Sequence, residues 1–401
     1  MLLFCILLIC MLSFPSCVKN DIVNHDLQKV NDIEIEAEIE EIVVDHLLEQ
    51  SWEIVSSMDN RLLVSQILIS GIDSRGTLSS GMKTLLKDIP AGGIMLFRFN
   101  LNVDSESNRV LVSDLVSQIK NEIDIPPFIA IDHEGGTVYR FFNRFAYLPN
   151  AISYYEIFQE HGRLEALAKI EEDSLISGRE INSLGFNMNF APIAEYLIKD
   201  NYDFLQYRSY GPDPVFTAQA AIAFTRGMEQ AGVLCVAKHF PGSAGPDPHY
   251  SASVLTKNKS HLDFFVSPFS ALINNGARAI MIAHTAAPAV DTTIASLSSA
   301  VMQTWLRDEL GFTGLIITDD FTMAAAGNIR PEEAAVQSVI AGADMVLVWP
   351  AHLRRTHTAF ITALENGRLS PERLQDAALR VVYEKLRMGL LAEEETVNEY
   401  E

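Results

Sequence analysis

The sequence predicts an α/β fold: a single (β/α)8 barrel of the TIM type, preceded by an N-terminal signal and tether extension. From about residue 61 onward, short apolar runs rich in β-branched residues alternate with longer segments of helical periodicity. Near-continuous apolar strands separated by helices indicate a parallel sheet that is covered on both faces. Eight such runs point to a barrel: residues 66–70, 93–97, 128–132, 186–190, 233–238, 279–283, 315–318 and 345–349.

The first residues are typical of an export signal. Residues 1–15 form an apolar run, shorter than the ~20 residues of a membrane span but long enough for a signal peptide. Ser16 and Cys17 follow this run, as at a lipoprotein processing site. We therefore expect residues 1–17 to direct export to the periplasm or cell surface. Lipidation of Cys17 would anchor the protein to a bacterial membrane; the alternatives are a simple secretory peptide and an uncleaved anchor.

The charge balance is strongly acidic, with 30 Lys and Arg against 52 Asp and Glu and a net charge of −22. Such a chain repels phosphates, which argues against a nucleic-acid partner and against attachment to anionic membranes by charge. Eleven of the acidic residues lie between positions 18 and 53. We expect residues 18–55 to be an acidic tether, although the Ile–Glu alternation of residues 32–44 also fits a solvated strand. Residues 56–392 would then be the barrel and 393–401 an acidic tail.

The helical segments between the predicted strands include residues 108–123, 213–230, 298–310, 331–341 and 371–388. Ser370 before Pro371 is a good helix start, with a capping hydroxyl and a proline in the first turn. The chain has four cysteines, Cys5, Cys10, Cys17 and Cys235. Their spacing fits neither a disulfide framework nor a zinc site. We predict no metal and no cofactor.

A barrel places its active site at the carboxyl ends of its strands. The residues that follow the apolar runs are unusually rich in His, Lys and Asp, which favours an enzyme. They are Arg98, Asp132, His133, Glu134, Asn189, Lys238, His239, His284, Asp319 and Asp320.

Residues 237–251, AKHFPGSAGPDPHYS, contain the most informative of these ends. Asp247 and His249 are two positions apart in a loop, so in extended chain the carboxylate can hydrogen-bond the imidazole. Such a partner orients the ring and suits a group that donates and then accepts a proton near neutral pH. By itself, the pattern is more typical of a surface turn with incidental polar residues.

In two further segments a carboxylate stands at the end of a predicted strand. In residues 314–323, GLIITDDFTM, Asp319 could act as a nucleophile that forms a covalent intermediate, and Asp320 could be a helix cap or a hydrogen-bonding neighbour. In residues 128–141, FIAIDHEGGTVYRF, Asp132 can accept hydrogen bonds from two adjacent sugar hydroxyls. Gly135 and Gly136 permit a tight turn, and Arg140 could either pair with Glu134 or reach a ligand.

Five motifs in order, IDHEGG, NMNFAPIAE, YRSYGPDP, AKHFPG followed by DPH, and GFTGLIITDDFTM, resemble the β-N-acetylglucosaminidases (β-hexosaminidases) of glycoside hydrolase family 3. The resemblance runs from about residue 60 to 390. It implies a (β/α)8 barrel and a retaining mechanism with a covalent glycosyl intermediate. It also implies hydrolysis of terminal β-linked N-acetylglucosamine from cell-wall (muropeptide) or chitin-type oligosaccharides; the oligomeric state is left open.

The resemblance assigns roles to residues of this chain. Asp319 would be the nucleophile and His249 the general acid/base, with Asp247 as its partner. The sugar-binding residues would be Asp132, Arg208, Lys238 and His239, to which we add Arg140.

The chain departs from the family pattern in one loop. Ser243 and Ala244 stand where His-Gly is usual, residues 242–247 are about two positions shorter, and Pro248 replaces the more common Ser. We expect these changes to stiffen the loop that carries His249. Every group with a chemical role remains.

Three other functions fit parts of the pattern. A β-glucosidase or xylosidase of the same family would take its acid/base Glu from a second domain, and the Asp247–His249 pair argues against that reading. A metal-dependent hydrolase could use His239, His249, His284 and the aspartates, although their spacing is unlike that of a metal site. A non-catalytic sugar-binding lipoprotein would bind N-acetylglucosamine without hydrolysing it.

Overall fold

The computed structural model describes residues 46–101, 107–141, 145–323, 326–327 and 329–391. The chain divides into two units, Met1–Trp52 and Glu53–Glu401. Cys17, the rest of the predicted signal and the predicted tail at 393–401 lie outside the described residues. Residues 46–55, which we predicted as part of the tether, are helical. Val55 is fully buried in the apolar core. The folded part of the chain therefore begins before the predicted boundary at residue 56.

Parallel strands dominate the structure, as predicted from the apolar runs. The strands are β1 (Leu68–Gly71), β2 (Gly93–Leu96), β3 (Phe128–Ile131), β4 (Met188–Asn189), β5 (Leu234–Cys235), β6 (Ala237–Phe240), β7 (Ser253–Val254), β8 (Ala279–Ile282), β9 (Thr285–Ala287), β10 (Asp291–Ile294), β11 (Leu315–Thr318) and β12 (Val346–Val348). The first sheet has six strands in the order β12-β1-β2-β3-β4-β5, the second has the order β11-β8-β6, and a small third sheet has the order β10-β9-β7.

The two large sheets are connected at both ends. Strands β5 and β6 are separated by Val236 alone, and an isolated parallel bridge joins Ile193, which follows β4, to Lys238 in β6. A second parallel bridge joins Ile317 in β11 to Met345, immediately before β12. All eight predicted strand regions therefore contain strands, and the fold is α/β with the strand arrangement of a TIM-like barrel.

The core forms two layers around these strands. Leu315 and Ile317 belong to one buried apolar cluster, whereas Ile316 between them belongs to another, packed against the helices. Each of the eight strand regions contributes at least one residue to the first cluster, including Ile69, Met95 and Met281. This alternation is expected when one face of each strand points inward and the other faces a layer of helices.

The helices largely match the predicted segments, and Ser370 caps its helix by accepting a hydrogen bond from the N–H of Arg373 at 3.1 Å. The predicted helix at 298–310 is instead a π-helix over Ala300–Glu309. No helix in the described ranges is long and apolar enough to cross a membrane. The α-helices include α1 (Asn60–Gln66), α2 (Ser80–Asp88), α3 (Arg98–Leu101), α4 (Ser107–Asn121), α5 (Ala151–His161), α6 (Arg163–Ser183), α7 (Tyr202–Leu205), α8 (Pro214–Gln230), α9 (Lys259–Phe265), α10 (Ser267–Asn274), α11 (Pro331–Ala341), α12 (Pro350–Glu365) and α13 (Pro371–Arg387).

Asn189 at the end of β4 positions the segment that leaves β3. Its side-chain oxygen accepts the N–H of His133, and its side-chain nitrogen donates to the carbonyl of His133, both at 2.9 Å. Because Asn189 is fully buried, these two bonds lock the residues on either side of His133. Asp132 and Glu134 are thereby held at the carboxyl end of the sheet.

Candidate active site

A cavity of about 260 Å³ lies at the carboxyl ends of the strands. Its apolar floor includes Met95, Met281 and Leu347, which belong to the inner core cluster. Six of the eight residues that we predicted for catalysis and sugar binding line it: Asp132, Arg208, Lys238, His239, His249 and Asp319. The other two, Arg140 and Asp247, bind lining residues directly, as described below.

Asp132 is held between two cations. One carboxylate oxygen accepts a hydrogen bond from Arg140 Nη2 at 2.6 Å, and the other accepts one from Lys238 Nζ. Burial by itself favours the neutral acid, but the charges of Lys238 and Arg140 outweigh it and hold the pKa of Asp132 well below its ordinary value. Asp132 is therefore an ionised acceptor for hydroxyl groups at neutral pH.

Glu134 lies deeper and pairs with Arg208. Arg208 Nε and Nη2 donate to the two carboxylate oxygens of Glu134 at 2.8 and 2.9 Å, and Lys238 Nζ lies 2.7 Å from one of them. Burial would raise the pKa of Glu134, but these two cations lower it to about 2. Of the two roles left open for Arg140, the pairing with Glu134 does not occur, because Glu134 is directed toward Arg208 and Lys238 while Arg140 pairs with Asp132.

The turn after Glu134 follows the prediction. Gly135 and Gly136 have φ values of +99° and +51°, in the left-handed region that favours glycine. A Cβ on Gly136 would lie 1.9 Å from the side-chain oxygen of Asn150. Glycine is required here by both conformation and space, and the turn returns the chain so that Arg140 reaches Asp132.

His239 rests on a buried carboxylate that sequence reasoning missed. Its Nδ1 donates to Glu195 Oε1 at 2.8 Å, and Glu195 is only 1% exposed. Glu195 is the last residue of the NMNFAPIAE motif, which follows a strand. This position is the sequence feature that could have identified Glu195 as a residue of the site. With Nδ1 directed at Glu195, the opposite edge of the ring faces the cavity.

His249 and Asp247 form the predicted pair. His249 Nδ1 lies 2.6 Å from Asp247 Oδ1, and the backbone N–H of His249 donates to the same oxygen at 2.9 Å. Burial by itself favours neutral Asp247, but the two hydrogen bonds from His249 together outweigh it and lower the pKa of Asp247. The His249 side chain is 56% exposed, and its ring centroid is 6.5 Å from that of Phe204. The imidazole is thus oriented by a carboxylate and remains open to solvent at the cavity entrance.

The two adjacent aspartates differ in their surroundings. Asp319 lines the cavity at the end of β11, and its Oδ1 accepts the N–H of Asp320 at 2.8 Å. Asp320 accepts from the Thr322 N–H at 2.8 Å, from the Thr322 hydroxyl at 2.9 Å and from the indole N–H of Trp349. Burial raises the pKa of Asp320. Of the two roles left open for it, this geometry is that of a hydrogen-bonding neighbour.

An aromatic wall, absent from our predictions, lies beside these aspartates. Trp349 stacks on Phe97 with ring centroids 4.6 Å apart and planes 9° apart, and both rings line the cavity. Because the indole also binds Asp320, the wall and the aspartates form one unit. A planar apolar surface of this kind can cover one face of a sugar ring or its acetamido group.

The histidines do not converge. His284 is buried with its ring nitrogens on the Ser296 hydroxyl, at 2.7 Å, and the Asp320 carbonyl, at 2.9 Å; burial lowers its pKa. His239 and His249 bind Glu195 and Asp247 as described above. Among the residues that the structure describes, no group of three His, Cys, Asp or Glu side chains could hold a metal ion.

Comparisons with known proteins place the chain in one family. The family model described as the glycosyl hydrolase family 3 N-terminal domain matches residues 35–383. A β-hexosaminidase of Methylococcus capsulatus is 33% identical over 301 residues, which are 73% of this chain and 85% of that protein. A β-hexosaminidase of Neisseria meningitidis serogroup C is 32% identical over 277 residues, 68% of this chain and 74% of that protein.

Solved structures are similar as well. A family 3 β-N-acetylglucosaminidase of Paenibacillus superposes with a TM-score of 0.76 at 30% identity, covering 86% of this chain and 66% of that one. NagZ from Neisseria gonorrhoeae, in complex with N-trifluoroacetyl-D-glucosamine, gives a TM-score of 0.67 at 29% identity, covering 79% of this chain and 89% of that one. The chain therefore belongs to glycosyl hydrolase family 3 and is a glycosidase.

Proposed function

We propose that the protein is a retaining exo-β-N-acetylglucosaminidase that acts through a glycosyl-Asp319 intermediate and a His249–Asp247 acid/base. The observation that carries this proposal is the cavity of about 260 Å³, onto which both Asp319 and His249 open. The relatives named above as β-hexosaminidases support the choice of sugar. Natural substrates would be cell-wall (muropeptide) or chitin-type oligosaccharides.

The glycone is bound by the charged wall of the cavity. Ionised Asp132 accepts hydrogen bonds from two adjacent hydroxyls, while Lys238 and Arg208 donate to sugar oxygens. Lys238 is only 3% exposed, so its bonds form in a desolvated site where they are strong. His239 presents the edge opposite Glu195, and Trp349 and Phe97 cover an apolar face of the sugar.

The first step forms the covalent intermediate. An Asp319 carboxylate oxygen attacks the anomeric carbon, the bond from that carbon to the glycosidic oxygen breaks, and protonated His249 gives its proton to the departing oxygen. Asp247 holds the ring through Nδ1, so Nε2 is the nitrogen that donates. Asp247 also balances the charge of the imidazolium before the transfer.

The second step reverses these roles. Neutral His249 removes a proton from water, the water oxygen attacks the anomeric carbon, and Asp319 departs as a carboxylate. Two successive displacements at one carbon retain its configuration. A His–Asp pair stands here where most retaining glycosidases have a second carboxylic acid.

We also infer that the eight parallel strand regions close into one (β/α)8 barrel. The bridges at Ile193–Lys238 and Ile317–Met345 support this, since they join the two sheets at both ends. Closure explains how Asp132 in one sheet and Asp319 in the other face a single cavity.

Export with lipidation at Cys17 remains our proposal for location. The apolar run 1–15 and the Ser16–Cys17 pair support it. Expression of the full chain with a labelled fatty acid tests it: a labelled wild-type protein and an unlabelled Cys17→Ser variant are expected, and an unlabelled wild type would contradict lipidation.

The full chain should be assayed with aryl β-N-acetylglucosaminide and aryl β-glucoside, with and without phosphate, which could replace water as the acceptor of the sugar in the second step. We expect turnover of the acetamido sugar and loss of at least about a thousandfold in kcat for Asp319→Asn. Mass spectrometry of the wild type after reaction with a 5-fluoro glycosyl donor should locate the trapped sugar on Asp319. An Asp319→Asn protein with full activity would refute the mechanism, and turnover of the glucoside alone would refute the choice of sugar.

A further inference from the structure

Glu195 contacts two parts of the site at once. Its carboxylate accepts from His239 Nδ1 at 2.8 Å and from the His239 backbone N–H at 3.2 Å. It also accepts from the Ser243 backbone N–H at 2.5 Å and from the Ser243 hydroxyl at 3.2 Å. The Glu195 side chain is 0% exposed, so these protein donors satisfy a charge that solvent does not reach.

The two partners belong to different functional regions. His239 lies in β6 and lines the sugar-binding wall, whereas Ser243 begins the loop that carries Asp247 and His249. Glu195 itself follows β4, close to the bridge that joins Ile193 to Lys238 in β6. One buried carboxylate therefore fixes the ring of a sugar-binding residue and the start of the acid/base loop.

The rest of the loop stem is also tied to the body of the protein. The Ser253 hydroxyl accepts from the Ala244 N–H at 3.1 Å and donates to the Ala244 carbonyl at 2.9 Å. The Gly245 N–H donates to the Asp200 carbonyl at 2.6 Å. Ser243, Ala244 and Gly245 are thus each anchored, and Ser243 is anchored to the same carboxylate that holds His239.

We infer that Glu195 is a positioning residue that couples the glycone pocket to the acid/base loop through His239 and Ser243. This inference rests on the proposed function, because it assigns His249 the transfer of the proton to the leaving group. Ser243 belongs to the dipeptide that replaces the usual His-Gly, so the Ser243–Glu195 contact is a feature of this chain's shortened loop. The coupling places His249 over the glycosidic oxygen only when Glu195 accepts from both partners.

Glu195→Gln is the informative variant. The amide matches the carboxylate in size, but its nitrogen is a donor, so at least one of the His239 and Ser243 donors would then face another donor. The loop start or the His239 ring must shift to relieve this contact. Ser243→Ala is the milder test, since it removes only the hydroxyl bond and keeps the backbone N–H.

The test compares two aryl β-N-acetylglucosaminides, one with an activated leaving group that needs no proton and one with a poor leaving group that does. For Glu195→Gln we expect kcat/KM to fall at least tenfold further with the poor leaving group than with the activated one. For Ser243→Ala we expect the same direction with a loss of two- to fivefold. Hydrogen exchange of peptides covering residues 241–252 should be faster in Glu195→Gln.

Asp344→Asn is the matched control. Asp344 is also a fully buried carboxylate, and it binds the Ile316 N–H and Arg307 at the amino ends of the strands. We expect its variant to lower the melting temperature without any difference between the two leaving groups and without faster exchange in the loop.

The outcomes separate the inference from the proposed function. Equal losses for both leaving groups together with unchanged loop exchange would overturn the inference, as would wild-type behaviour of Glu195→Gln. If the wild type turns over neither substrate, the proposed function fails, and the exchange measurement alone decides the coupling. In that case faster loop exchange in Glu195→Gln but not in Asp344→Asn supports it, and equal exchange refutes it.

Discussion

Glu134 receives two parallel hydrogen bonds from Arg208, Nε to Oε2 at 2.8 Å and Nη2 to Oε1 at 2.9 Å. This pair is one end of a row of alternating charges that continues through Lys238 and Asp132 to Arg140. Because Lys238 contacts both carboxylates, displacement of any member alters the charge balance of its neighbours. The row holds the sugar-binding donors and acceptors at fixed positions before substrate arrives.

Glu134→Gln should weaken substrate binding more than it slows the chemical step. The variant removes the negative charge of Glu134, so the Arg208 guanidinium loses its carboxylate partner and Lys238 keeps only Asp132. We expect kcat/KM to fall by about 10- to 100-fold, the equivalent of one charged hydrogen bond, mainly through KM. Steady-state kinetics with an aryl β-N-acetylglucosaminide measure this, and a loss confined to kcat would contradict the binding role.

The same variant should change the acid stability of the protein. Because the folded-state pKa of Glu134 is about 2, below its ordinary value of 4.5, its contribution to stability is present above about pH 4.5 and is lost as the pH falls toward 2. Unfolding by denaturant between pH 6 and pH 3 should therefore show a smaller acid-induced loss in Glu134→Gln than in the wild type. Identical pH dependence in the two proteins would contradict the lowered pKa.

Asp320→Asn tests which of the two adjacent aspartates reacts. Burial raises the pKa of Asp320, which favours its neutral form. In Asp320→Asn the amide oxygen can keep the bond from the Thr322 N–H, while the amide nitrogen loses the bond from the Trp349 indole N–H. We expect a loss below about tenfold, comparable to one neutral hydrogen bond, against at least about a thousandfold for Asp319→Asn. Kinetics of both variants decide the assignment, and the reverse order would transfer the nucleophile to Asp320.

Features set by local sequence were predictable. The strand regions were predictable because runs such as residues 315–317 are apolar throughout and must be buried on both faces. The Asp247–His249 contact is also local, since the two residues are two positions apart. The small third sheet was not predicted: β10, Asp291–Ile294, is short and half exposed, so it carries little hydrophobic signal.

Contacts between distant segments were not predictable. Glu195 and Ser243 lie 48 positions apart, and no periodicity in the sequence pairs them. The pairing of Arg140 with Asp132 instead of Glu134 depends on where Arg208 lies, 74 positions from Glu134. Such choices follow from the packing of neighbouring strands, which the motifs do not contain.

His249→Ala should produce a loss that depends on the leaving group. Without the imidazole no proton reaches a poor leaving group, and kcat/KM should fall by about 10²- to 10⁴-fold, whereas an activated aryl glycoside should lose far less in this step. Asp247→Asn should lie between the wild type and His249→Ala, because the ring remains but loses its carboxylate.

Azide provides a control for the second step of the reaction in His249→Ala. Azide needs no proton removed, so it should attack the glycosyl-Asp319 intermediate, raise the turnover of the activated substrate and yield a β-glycosyl azide. The wild type should respond little. An α-configured azide product, or no response in a variant that still forms the intermediate, would contradict the two-step mechanism.

Lys385 offers a stability prediction far from the chemistry. It is fully buried, donates to Gln66 Oε1 at 2.8 Å and lies 5.6 Å above the ring of Phe128. Burial lowers its pKa from 10.5 to about 7. Between about pH 7 and 10.5 the unfolded chain then binds more protons than the folded protein, so the Lys385 contribution makes the free energy of unfolding rise with pH. Below pH 7 Lys385 is protonated in both states, and the full cost of burying its charge applies.

Lys385→Met should remove this dependence. The variant leaves Gln66 Oε1 without its donor, which costs on the order of 1–3 kcal/mol at every pH, so the pH slope is more informative than the absolute value. The free energy of unfolding of the variant relative to that of the wild type, measured in denaturant, should be highest at pH 6 to 7 and should decrease progressively toward pH 10. Lys87→Met, at a side chain 67% exposed, is the control and should leave the slope unchanged. A difference between Lys385→Met and the wild type that is constant from pH 6 to pH 10 would show that Lys385 keeps its ordinary pKa in the folded protein.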